Sequence, residues 1–515
     1  MQYDLSIPAQ LTGALVPDLV LMVGAFALLL WAAFGPETAA HQRRVGIASI
    51  ALAVITLGAV IWYLFRQDHA TDGPIAVDNF RWMMDVVILI GTIGALALSI
   101  EDNERQSILF PESHVLLLLA SSGMMLLAGA RDLMMVFLGI EVMSIAVYAL
   151  AGMNRRSARS AEGALKYFLL GAFSTAFLLY GIALVYGATG SVRLSEIGAR
   201  VTSMGLATSP LLLLGIALML VGFAFKVSSV PFHMWAPDVY DGAPTPITAY
   251  MAATVKAAAF AALFRVWLEA FPGAWAQWRP AVALLAVLTM VLGNAIGLAQ
   301  RNVKRLLAYS SIGHAGYLLV AVAAGTPQGA SALVFYLLAY TLATFGAFGV
   351  VAALTQPGEG TVTTDELSGL WTVRPGLAVA MSVFMLALLG FPVFGGAGFL
   401  AKWFLVKAAL QAPEPQVVLT VVLVLSSVIA AGYYLYVVMV MFMRPRPEGA
   451  VAPAQGGVLT RGVVFVAAVA LILLGIFPNR IVRYANVGRP THAPPAMAIQ
   501  GPPMPAPALA PRVVE

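Results

Sequence analysis

The lysines of this sequence lie where a charge is unfavourable. All six fall within or at the ends of long apolar runs, whereas the polar segments between the runs use arginine almost exclusively. Arginine stays protonated at any accessible pH, but a lysine removed from water can release its proton. The placement of lysine inside the apolar runs and arginine between them therefore predicts reversible protonation as the chemistry of the chain. The six residues are Lys166, Lys226, Lys256, Lys304, Lys402 and Lys407.

Three of these lysines and one glutamate lie deep inside apolar runs. A charge at the centre of a membrane helix costs about 2.5–3.5 kcal/mol, so four of them cost on the order of 10 kcal/mol. That sum is comparable with the net stability of a whole domain. We therefore predict a proton relay of Lys226, Lys256, Lys402 and Glu141, with Lys226 as the partner of Glu141. The alternative is that these groups form inert structural pairs.

The remaining ionisable residues of the apolar runs are secondary candidates. Lys304 and Lys407 lie near the ends of their runs, where a lysine can extend its amine to the membrane surface. Lys166 is four residues into its predicted helix, so a surface position and a relay position are both open. His314, in "YSSIGHAGY", titrates near neutral pH when unperturbed and is included in the relay. His233 is either an inward proton feed or a loop histidine.

The elements that position these residues are membrane-spanning helices. The chain has 515 residues, of which 60% are hydrophobic and 10% charged, against about 25% charged in soluble domains. Runs of about 20 apolar residues, which is the length needed to cross a bilayer, recur throughout. We predict an all-α polytopic membrane protein with about fourteen spans at 14–34, 44–65, 83–100, 113–129, 132–151, 162–188, 209–230 (continuing to about 240), 244–270, 280–299, 303–323, 328–353, 376–409, 416–442 and 462–478.

Two of the spans carry signals for an interruption. Pro231 follows Lys226 closely in the seventh span, and proline both removes a backbone donor and clashes with the preceding turn. In the twelfth span, Pro392, Gly395 and Gly396 precede Lys402. Broken helices at corresponding positions of two halves indicate an ion pathway built from inverted repeats.

The broken spans divide the chain into repeats. Residues 1–111 hold the first three spans, 112–272 a first five-span repeat, 273–443 a second one, and 444–480 the fourteenth span. Because five is odd, consecutive repeats are inverted across the membrane. Residues 481–515 form a proline- and alanine-rich tail that cannot bury a core. The loops richest in basic residues share one side, which predicts that both termini are periplasmic.

Several other functions find no support in the sequence. The chain contains no cysteine, so it has no thiolate ligands for zinc or iron–sulfur clusters. The net charge of +5 comes from short loops and does not indicate a nucleic acid partner. Two glycine-containing segments lack the strand and spacing of nucleotide loops. Arg265 and Glu269, four residues apart on one helix face, are predicted to form a structural ion pair near the outer end.

Three segments resemble the antiporter-like subunit N family of respiratory complex I, NADH:quinone oxidoreductase, whose mitochondrial counterpart is subunit 2. They are "EGALKYFLLGAFSTAFLLYGIALVYGATG", "FKVSSVPFHMWAPDVYDGAPTPITAYMAATVKAAAF" and "QRNVKRLLAYSSIGHAGYLL". The resemblance covers nearly all of residues 10 to 480. The sequence departs from the family at Phe391–Pro392, where adjacent prolines are frequent, and this leaves the break intact.

The resemblance implies a role for each deep residue. Glu141 and Lys226 correspond to a central carboxylate–lysine pair, Lys256 to a mid-membrane relay, and Lys402 to the lysine nearest the exit half-channel. The family carries no cofactor in this subunit; flavin and iron–sulfur clusters belong to partner subunits, and quinone is used by the complex without binding here. Subunits M, K and J are the implied neighbours, in the inner membrane of a bacterium. Two alternatives remain, a cation/proton antiporter subunit and a non-pumping structural subunit.

Overall fold

The computed structural model describes residues 12–66, 73–356, 358, 361–392, 396–447 and 454–479. Within these ranges the chain is helical and forms no β-strand. Twelve of the described helices are long and apolar enough to cross a membrane, and shorter apolar helices form two further, interrupted spans. The predicted all-α polytopic fold is therefore confirmed.

Three helices precede the first predicted repeat: α1 (Val16–Phe34), α2 (Ala39–Arg66) and α3 (Asn79–Arg105). Helix α3 extends several residues beyond the predicted 83–100 at both ends. Its first turn is capped by Asp78, whose carboxylate accepts a hydrogen bond from the backbone N–H of Arg81 at 2.8 Å. The predicted span 83–100 leaves Arg81 outside the membrane helix, and this was wrong, because Arg81 lies within α3 with its side chain fully buried.

The predicted repeats follow in chain order. The first contains α4 (Glu112–Gly129), α5 (Leu133–Ala151), α6 (Ala158–Thr189), the short α7 (Leu194–Ser203), α8 (Pro210–Lys226), α9 (Ala236–Gly242) and α10 (Thr245–Ala270). The second contains α11 (Trp275–Gly297), α12 (Val303–Ala324), α13 (Pro327–Leu354), the single turn α14 (Leu370–Val373), α15 (Pro375–Leu389), α16 (Ala397–Leu410) and α17 (Val417–Met443). The last described helix is α18 (Val458–Ile476).

Both predicted helix breaks are present. In the seventh span, α8 ends at Lys226 and α9 begins at Ala236, with Pro231 between them. The twelfth span divides into α15 and α16 around Pro392 and Gly396. Gly396 has φ of 65°, a left-handed conformation that side-chain-bearing residues rarely adopt, so glycine suits this turn. Gly395 lies outside the described residues.

The spans of the two predicted repeats have the same order. In 112–272 the fourth of five spans is the broken one, formed by α8 and α9, and in 273–443 it is again the fourth, formed by α15 and α16. Since each unit contains an odd number of spans, the second unit starts from the opposite side of the membrane. This order matches the architecture expected of inverted repeats.

Three helices form the interior of the bundle. Every residue in the most apolar window of α10 is buried, as is nearly every residue in those of α12 and α13. By contrast, only about a quarter of the residues in the most apolar windows of α1 and α18 are buried, and the other residues face outward. Polar side chains on α10, α12 and α13 are thus removed from water and from lipid, and each needs a partner within the protein.

Candidate proton-transfer site

The first polar centre forms around Lys226, the last residue of α8. Its side chain is buried, and its Nζ donates hydrogen bonds to Ser144 Oγ at 2.7 Å and Tyr148 Oη at 3.1 Å, both on α5. Ser144 Oγ in turn donates to the backbone carbonyl of Ile140. The amine is therefore held by neutral oxygen atoms where α8 terminates.

Glu141 lies beside this centre without pairing to it. It stands one helical turn before Ser144 and two turns before Tyr148, so the three residues share one face of α5. Among the described residues no ion pair joins Glu141 to Lys226 within 4.0 Å. The predicted partner of Glu141 therefore contacts Ser144 and Tyr148 of the same helix face instead.

Aromatic rings enclose the Lys226 amine. Nζ lies 5.2 Å from the ring centroid of Tyr148, 5.9 Å from that of Tyr167 and 5.6 Å from that of Phe225. Trp235, just before α9, stacks on Tyr167 at 4.3 Å, and its indole N–H donates to the carbonyl of Phe225 at 3.1 Å. The rings attract a cation through their faces and exclude water from it. The Phe225 carbonyl also accepts a hydrogen bond from the backbone N–H of Ser228 at 3.1 Å, so the indole adds a second donor at the end of α8.

The second polar centre forms around Lys256 in the middle of α10. The residues immediately before it, Met251–Val255, form a π-helical turn, a wider turn that is frequent at functional sites. Lys256 is 1% exposed, and its Nζ donates to the backbone carbonyl of Ser311 at 2.7 Å and to the Ser311 hydroxyl. As at Lys226, the acceptors are neutral oxygen atoms.

His314 lies one turn beyond Ser311 on α12 and uses both ring nitrogens. Nδ1 shares a hydrogen bond with the Tyr336 hydroxyl at 2.6 Å, and Nε2 shares one with the Tyr434 hydroxyl at 3.1 Å. The Tyr434 hydroxyl is also hydrogen-bonded to Ser310. Hydroxyls can donate or accept, so these two tyrosines can exchange a proton with either nitrogen of the imidazole.

The third centre forms around Lys402 on α16, beyond the second break. Nζ donates to the carbonyl of Leu389, the last residue of α15, at 2.8 Å, and to Ser427 Oγ on α17 at 3.0 Å. It also lies 4.6 Å from the ring centroid of Tyr317. A small cavity lined by both His314 and Lys402 joins this centre to the previous one. The helix break thus supplies a free carbonyl to the amine.

Tyrosines fill the space between the centres. Tyr240 on α9 is buried, and its hydroxyl faces Ser228 and Ser311 without completing a hydrogen bond to either. Tyr340 on α13 lies near Ser311 and places its ring centroid 4.9 Å from that of His314. The structure therefore brings Lys256, His314 and Lys402 into one polar cluster, and Tyr240 lies between that cluster and the break beside Lys226.

The secondary candidates occupy different environments. Lys166 is on the surface of α6, where it pairs with Glu162 at 2.7 Å and Asp238 at 2.9 Å. Lys304 is buried and donates to the carbonyls of Asp241 and Ala243 at the end of α9, at 2.9 and 2.7 Å.

His233, Lys407 and Lys304 can also be compared with their predicted positions. His233 is half-buried in the seventh-span break. Lys407, the second lysine of α16, is exposed. Lys304, which we expected to extend towards water, instead caps a helix end inside the protein.

A separate charged cluster stabilises the opposite end of α10. The predicted pair of Arg265 and Glu269 is present at 3.0 Å, and Arg265 also binds both carboxylate oxygens of Asp78, at 2.7 and 2.9 Å. Arg131, which lies between the predicted spans 113–129 and 132–151, is buried and binds Glu269 at 3.0 Å. Arg81 pairs with Asp18 and Asp85 nearby. Here permanently charged arginines meet carboxylates, which is a structural arrangement rather than a relay.

Comparisons with known proteins identify the class of membrane protein to which this fold belongs. Residues 130–441 match the family model described as NADH:quinone oxidoreductase/Mrp antiporter, transmembrane. A chain of respiratory complex I from Thermus thermophilus, solved with bound aureothin, superposes with a TM-score of 0.78 at 37% identity, covering 92% of this chain and 100% of that one. The Mrp complex from Dietzia has a chain with a TM-score of 0.79 over 93% and 97%, but at 21% identity it shows the fold alone.

Curated relatives identify the family within this class of membrane proteins. The NADH-quinone oxidoreductase subunit N of Gemmatimonas aurantiaca is 51% identical over 492 residues, covering 93% of this chain and 94% of that protein. The subunit N of Trichlorobacter lovleyi is 42% identical over 481 residues, covering 92% and 96%. The chain belongs to the NADH-quinone oxidoreductase subunit N family.

Proposed function

We propose that this chain is a proton-translocating membrane subunit of NADH:quinone oxidoreductase and that Lys226, Lys256, His314 and Lys402 carry the protons. The observation that supports these residues most directly is the buried cluster of Lys256, His314 and Lys402, whose hydrogen-bond partners are hydroxyls and carbonyls. Such acceptors hold a protonated amine without neutralising it. The proton can then move on when a nearby charge changes.

The switch that moves the proton is the pair of Glu141 and Lys226. Residues three apart on a helix place their Cβ atoms about 5–6 Å apart. The Lys226 amine therefore moves by about that distance from Ser144 to Glu141, well within the reach of its flexible stem. A closed pair holds the proton on Lys226, and an open pair releases it towards Lys256.

The interaction energy of the Glu141–Lys226 ion pair is large enough to move one proton against the membrane potential. Two unit charges 4 Å apart at an effective dielectric constant of about 20 interact by about 4 kcal/mol. Moving one charge against the membrane potential requires about 2.3 kcal/mol per 100 mV. Closing and opening one ion pair can therefore drive one proton against a potential of about 100 mV, with partner subunits setting the direction.

The onward route follows the cluster around α12. From Lys256 the proton passes to Ser311 and the neighbouring tyrosines, reaches His314, and crosses the small cavity to Lys402 beside the second break. The helix breaks at both ends of this route expose backbone groups that ordinary spans bury. We propose 112–272 and 273–443 as the two repeat units that this route connects.

The chain acts within a larger complex. Its partners are other complex I subunits, and M, K and J are the neighbours we expect. Flavin and iron–sulfur clusters lie in partner subunits, and quinone is reduced there. Under the positive-inside rule, the loops with most basic residues, including "HQRR" and "NRRSARS", support our proposal that both termini are on the periplasmic side of a bacterial inner membrane.

The antiporter alternative has weaker support. The curated relatives at 51% and 42% identity are NADH-quinone oxidoreductase subunits, whereas the superposed chain of the Mrp complex is 21% identical. Sodium transport also requires oxygen ligands, and the deep groups are mainly amines. A sodium dependence of transport in vesicles would favour the antiporter.

The test replaces one relay lysine in the assembled complex. Lys402→Met keeps the length of the side chain and removes the amine. We expect assembly to be preserved and protons pumped per NADH oxidised in sealed vesicles to fall, with a loss of at least tenfold in the rate through this subunit, since a positioned proton-transfer group contributes about 10²–10⁴-fold. Proton uptake into vesicles and NADH oxidation are measured on the same preparation.

Lys407→Met is the matched control, because Lys407 is on the same helix α16 but is exposed. It should leave both rates unchanged. Normal pumping by an assembled Lys402→Met complex would contradict the relay and favour a structural subunit.

A further inference from the structure

Two buried carboxyl groups near the start of α3 share one guanidinium group. Asp18 on α1 accepts a hydrogen bond from Nη2 of Arg81. Asp85, one turn after Arg81 on α3, places a carboxylate oxygen 3.4 Å from Nε of the same arginine. The side chains of Arg81 and Asp85 are fully buried, and that of Asp18 is nearly so. These three residues, the Asp18–Arg81–Asp85 triad, carry one negative charge in excess when both carboxyl groups are ionised.

The neighbouring charged residues do not compensate this excess. Arg265 on α10 binds both Asp78 and Glu269. Glu269 also binds Arg131, which lies between α4 and α5. That group contains two guanidinium groups and two carboxylates, so its own charges are balanced. In the described part of the chain, no second basic residue lies within 4.0 Å of either carboxylate of the triad.

Asp85 is the carboxyl group of the triad that lacks hydrogen-bond donors. Neither of its oxygens has a hydrogen-bond partner among the described residues, and Nε of Arg81 does not complete a hydrogen bond to it. One oxygen of Asp18 also lacks a partner, but the other accepts from Arg81. A carboxylate that is removed from water and has no donor becomes neutral by taking up a proton. Two carboxyl groups in one site likewise cannot both ionise easily.

Close packing around Arg81 leaves little room for a larger ligand. The guanidinium carbon of Arg81 lies 4.4 Å from the ring centroid of Trp82, and that ring stacks on Tyr63 of α2 at 5.2 Å. At Gly129, the last residue of α4, a Cβ would lie 2.8 Å from Cδ and Nε of Arg81. A metal cation would need several oxygen ligands beside a guanidinium group that repels it. A proton needs only one oxygen.

We propose that the Asp18–Arg81–Asp85 triad is a proton-binding site that holds one proton on Asp85 at neutral pH. The site is separate from the lysine relay, and the proposal does not depend on that relay. In the unfolded chain an aspartate releases its proton above about pH 4. Folding therefore takes up one proton, and the equilibrium constant for unfolding rises about tenfold for each unit of pH.

The experiment measures unfolding of the full chain in SDS micelles between about pH 5 and pH 7. The equilibrium constant of the wild type, divided by that of Asp85→Asn, should rise about tenfold per pH unit, because asparagine is neutral and has no proton to release. The division removes the contributions of other titrating groups, which both chains share. Asp78→Asn is the matched control. Because Asp78 is ionised against Arg265, the corresponding ratio should stay constant over this range.

Infrared spectroscopy of the assembled complex gives a second measurement. The difference spectrum between the wild type and Asp85→Asn should contain the carbonyl stretch of one protonated carboxylic acid. The difference spectrum between the wild type and Asp18→Asn should contain it too. In that variant Asp85 is the only carboxyl partner of Arg81 and therefore ionises. The loss of the same band in both variants would show that the two carboxyl groups share one proton.

Three results would overturn the proposal. A constant ratio for Asp85→Asn would show that Asp85 is ionised in the folded chain. A protonated-carboxyl band that persists in both variants would show that the proton is bound elsewhere. A ratio that depends on sodium concentration and not on pH would identify a sodium ion in place of the proton. If Asp85→Asn does not fold, the spectra of the wild type and Asp18→Asn still decide the question.

Discussion

Asp78 offers the sharpest test of how the buried charges stabilise the bundle. Its carboxylate does two things at once, capping α3 through the Arg81 N–H and binding both Nη atoms of Arg265 on α10. Asn is as good a helix cap as Asp, so Asp78→Asn removes the charge and retains the cap. Asp78→Ala removes both.

The magnitude follows from what remains around Arg265. Breaking a buried ion pair by removing one partner costs about 3–5 kcal/mol. Because Glu269 still pairs with Arg265 at 3.0 Å, we expect the lower end, about 3 kcal/mol, for Asp78→Asn. The alanine variant should lose about 1 kcal/mol more, which is the contribution of the cap.

The assay is unfolding by SDS in mixed micelles, followed by tryptophan fluorescence. Asp132→Asn is the matched control, since Asp132 caps α5 through the Met134 N–H at 2.8 Å and forms no ion pair within 4.0 Å among the described residues. It should change the free energy of unfolding by no more than about 0.5 kcal/mol. Equal losses in Asp78→Asn and Asp132→Asn would refute the reasoning, because the buried guanidinium would then contribute nothing.

The contact between Asp78 and Arg265 also predicts how the free energy of unfolding depends on pH. Burial raises the pKa of the Asp78 carboxyl, but the Arg265 guanidinium, the Arg81 N–H and the charge of Arg131 together outweigh burial and hold that pKa below its usual range. A lowered folded-state pKa gives stability that is complete above the ordinary value of about 4 and is lost as the pH falls through the folded value. The difference between wild type and Asp78→Asn should therefore be constant at neutral pH and shrink only in strong acid.

Two further variants test the relay and its surroundings. Tyr434→Phe removes the hydroxyl that joins Ser310 to His314 and should slow proton pumping by about tenfold or more. Tyr436→Phe is the control, because the Tyr436 ring lies outside the cluster. The rates of proton pumping by the two variants are compared in vesicles. Lys304→Met leaves two buried carbonyls without their lysine and should lower the free energy of unfolding by about 1–3 kcal/mol, while protons pumped per NADH stay unchanged.

Much of the fold was predictable because the membrane imposes long apolar helices. The spans agree with the predicted ranges to within a few residues at most ends, and Pro231 and Pro392 marked both breaks correctly. Proline is a local signal, since its missing N–H acts wherever it occurs. The π-helical turn before Lys256 has no such signal in its sequence, "MAATV". It depends on packing between helices and could not be predicted.

The partners of the buried charges were harder to predict than their positions. The predicted spans leave Arg81 and Arg131 outside the helices. Arg81 lies within α3 and Arg131 between α4 and α5, and both are buried against carboxylates from distant parts of the chain. Lys226 was matched with Glu141, whereas in this structure its amine contacts Ser144 and Tyr148 on the same face of α5. Helix periodicity identifies the face. Which oxygen on that face accepts the hydrogen bond depends on side-chain conformation.

The choice between lysine and arginine now has a structural explanation. The buried arginines at the end of α10 bind carboxylates, so their permanent charge is compensated and the contact can last. The buried lysines that we propose as the relay bind hydroxyls and backbone carbonyls, and each lies at a helix end, beside a π-turn or after a break. A carboxylate fixed against every lysine would stabilise the protonated amine too strongly for the proton to leave, and a lysine without any hydrogen-bond acceptor would not become protonated. Neutral acceptors at irregular helix turns stabilise the protonated amine to an intermediate degree, as a reversible proton site requires.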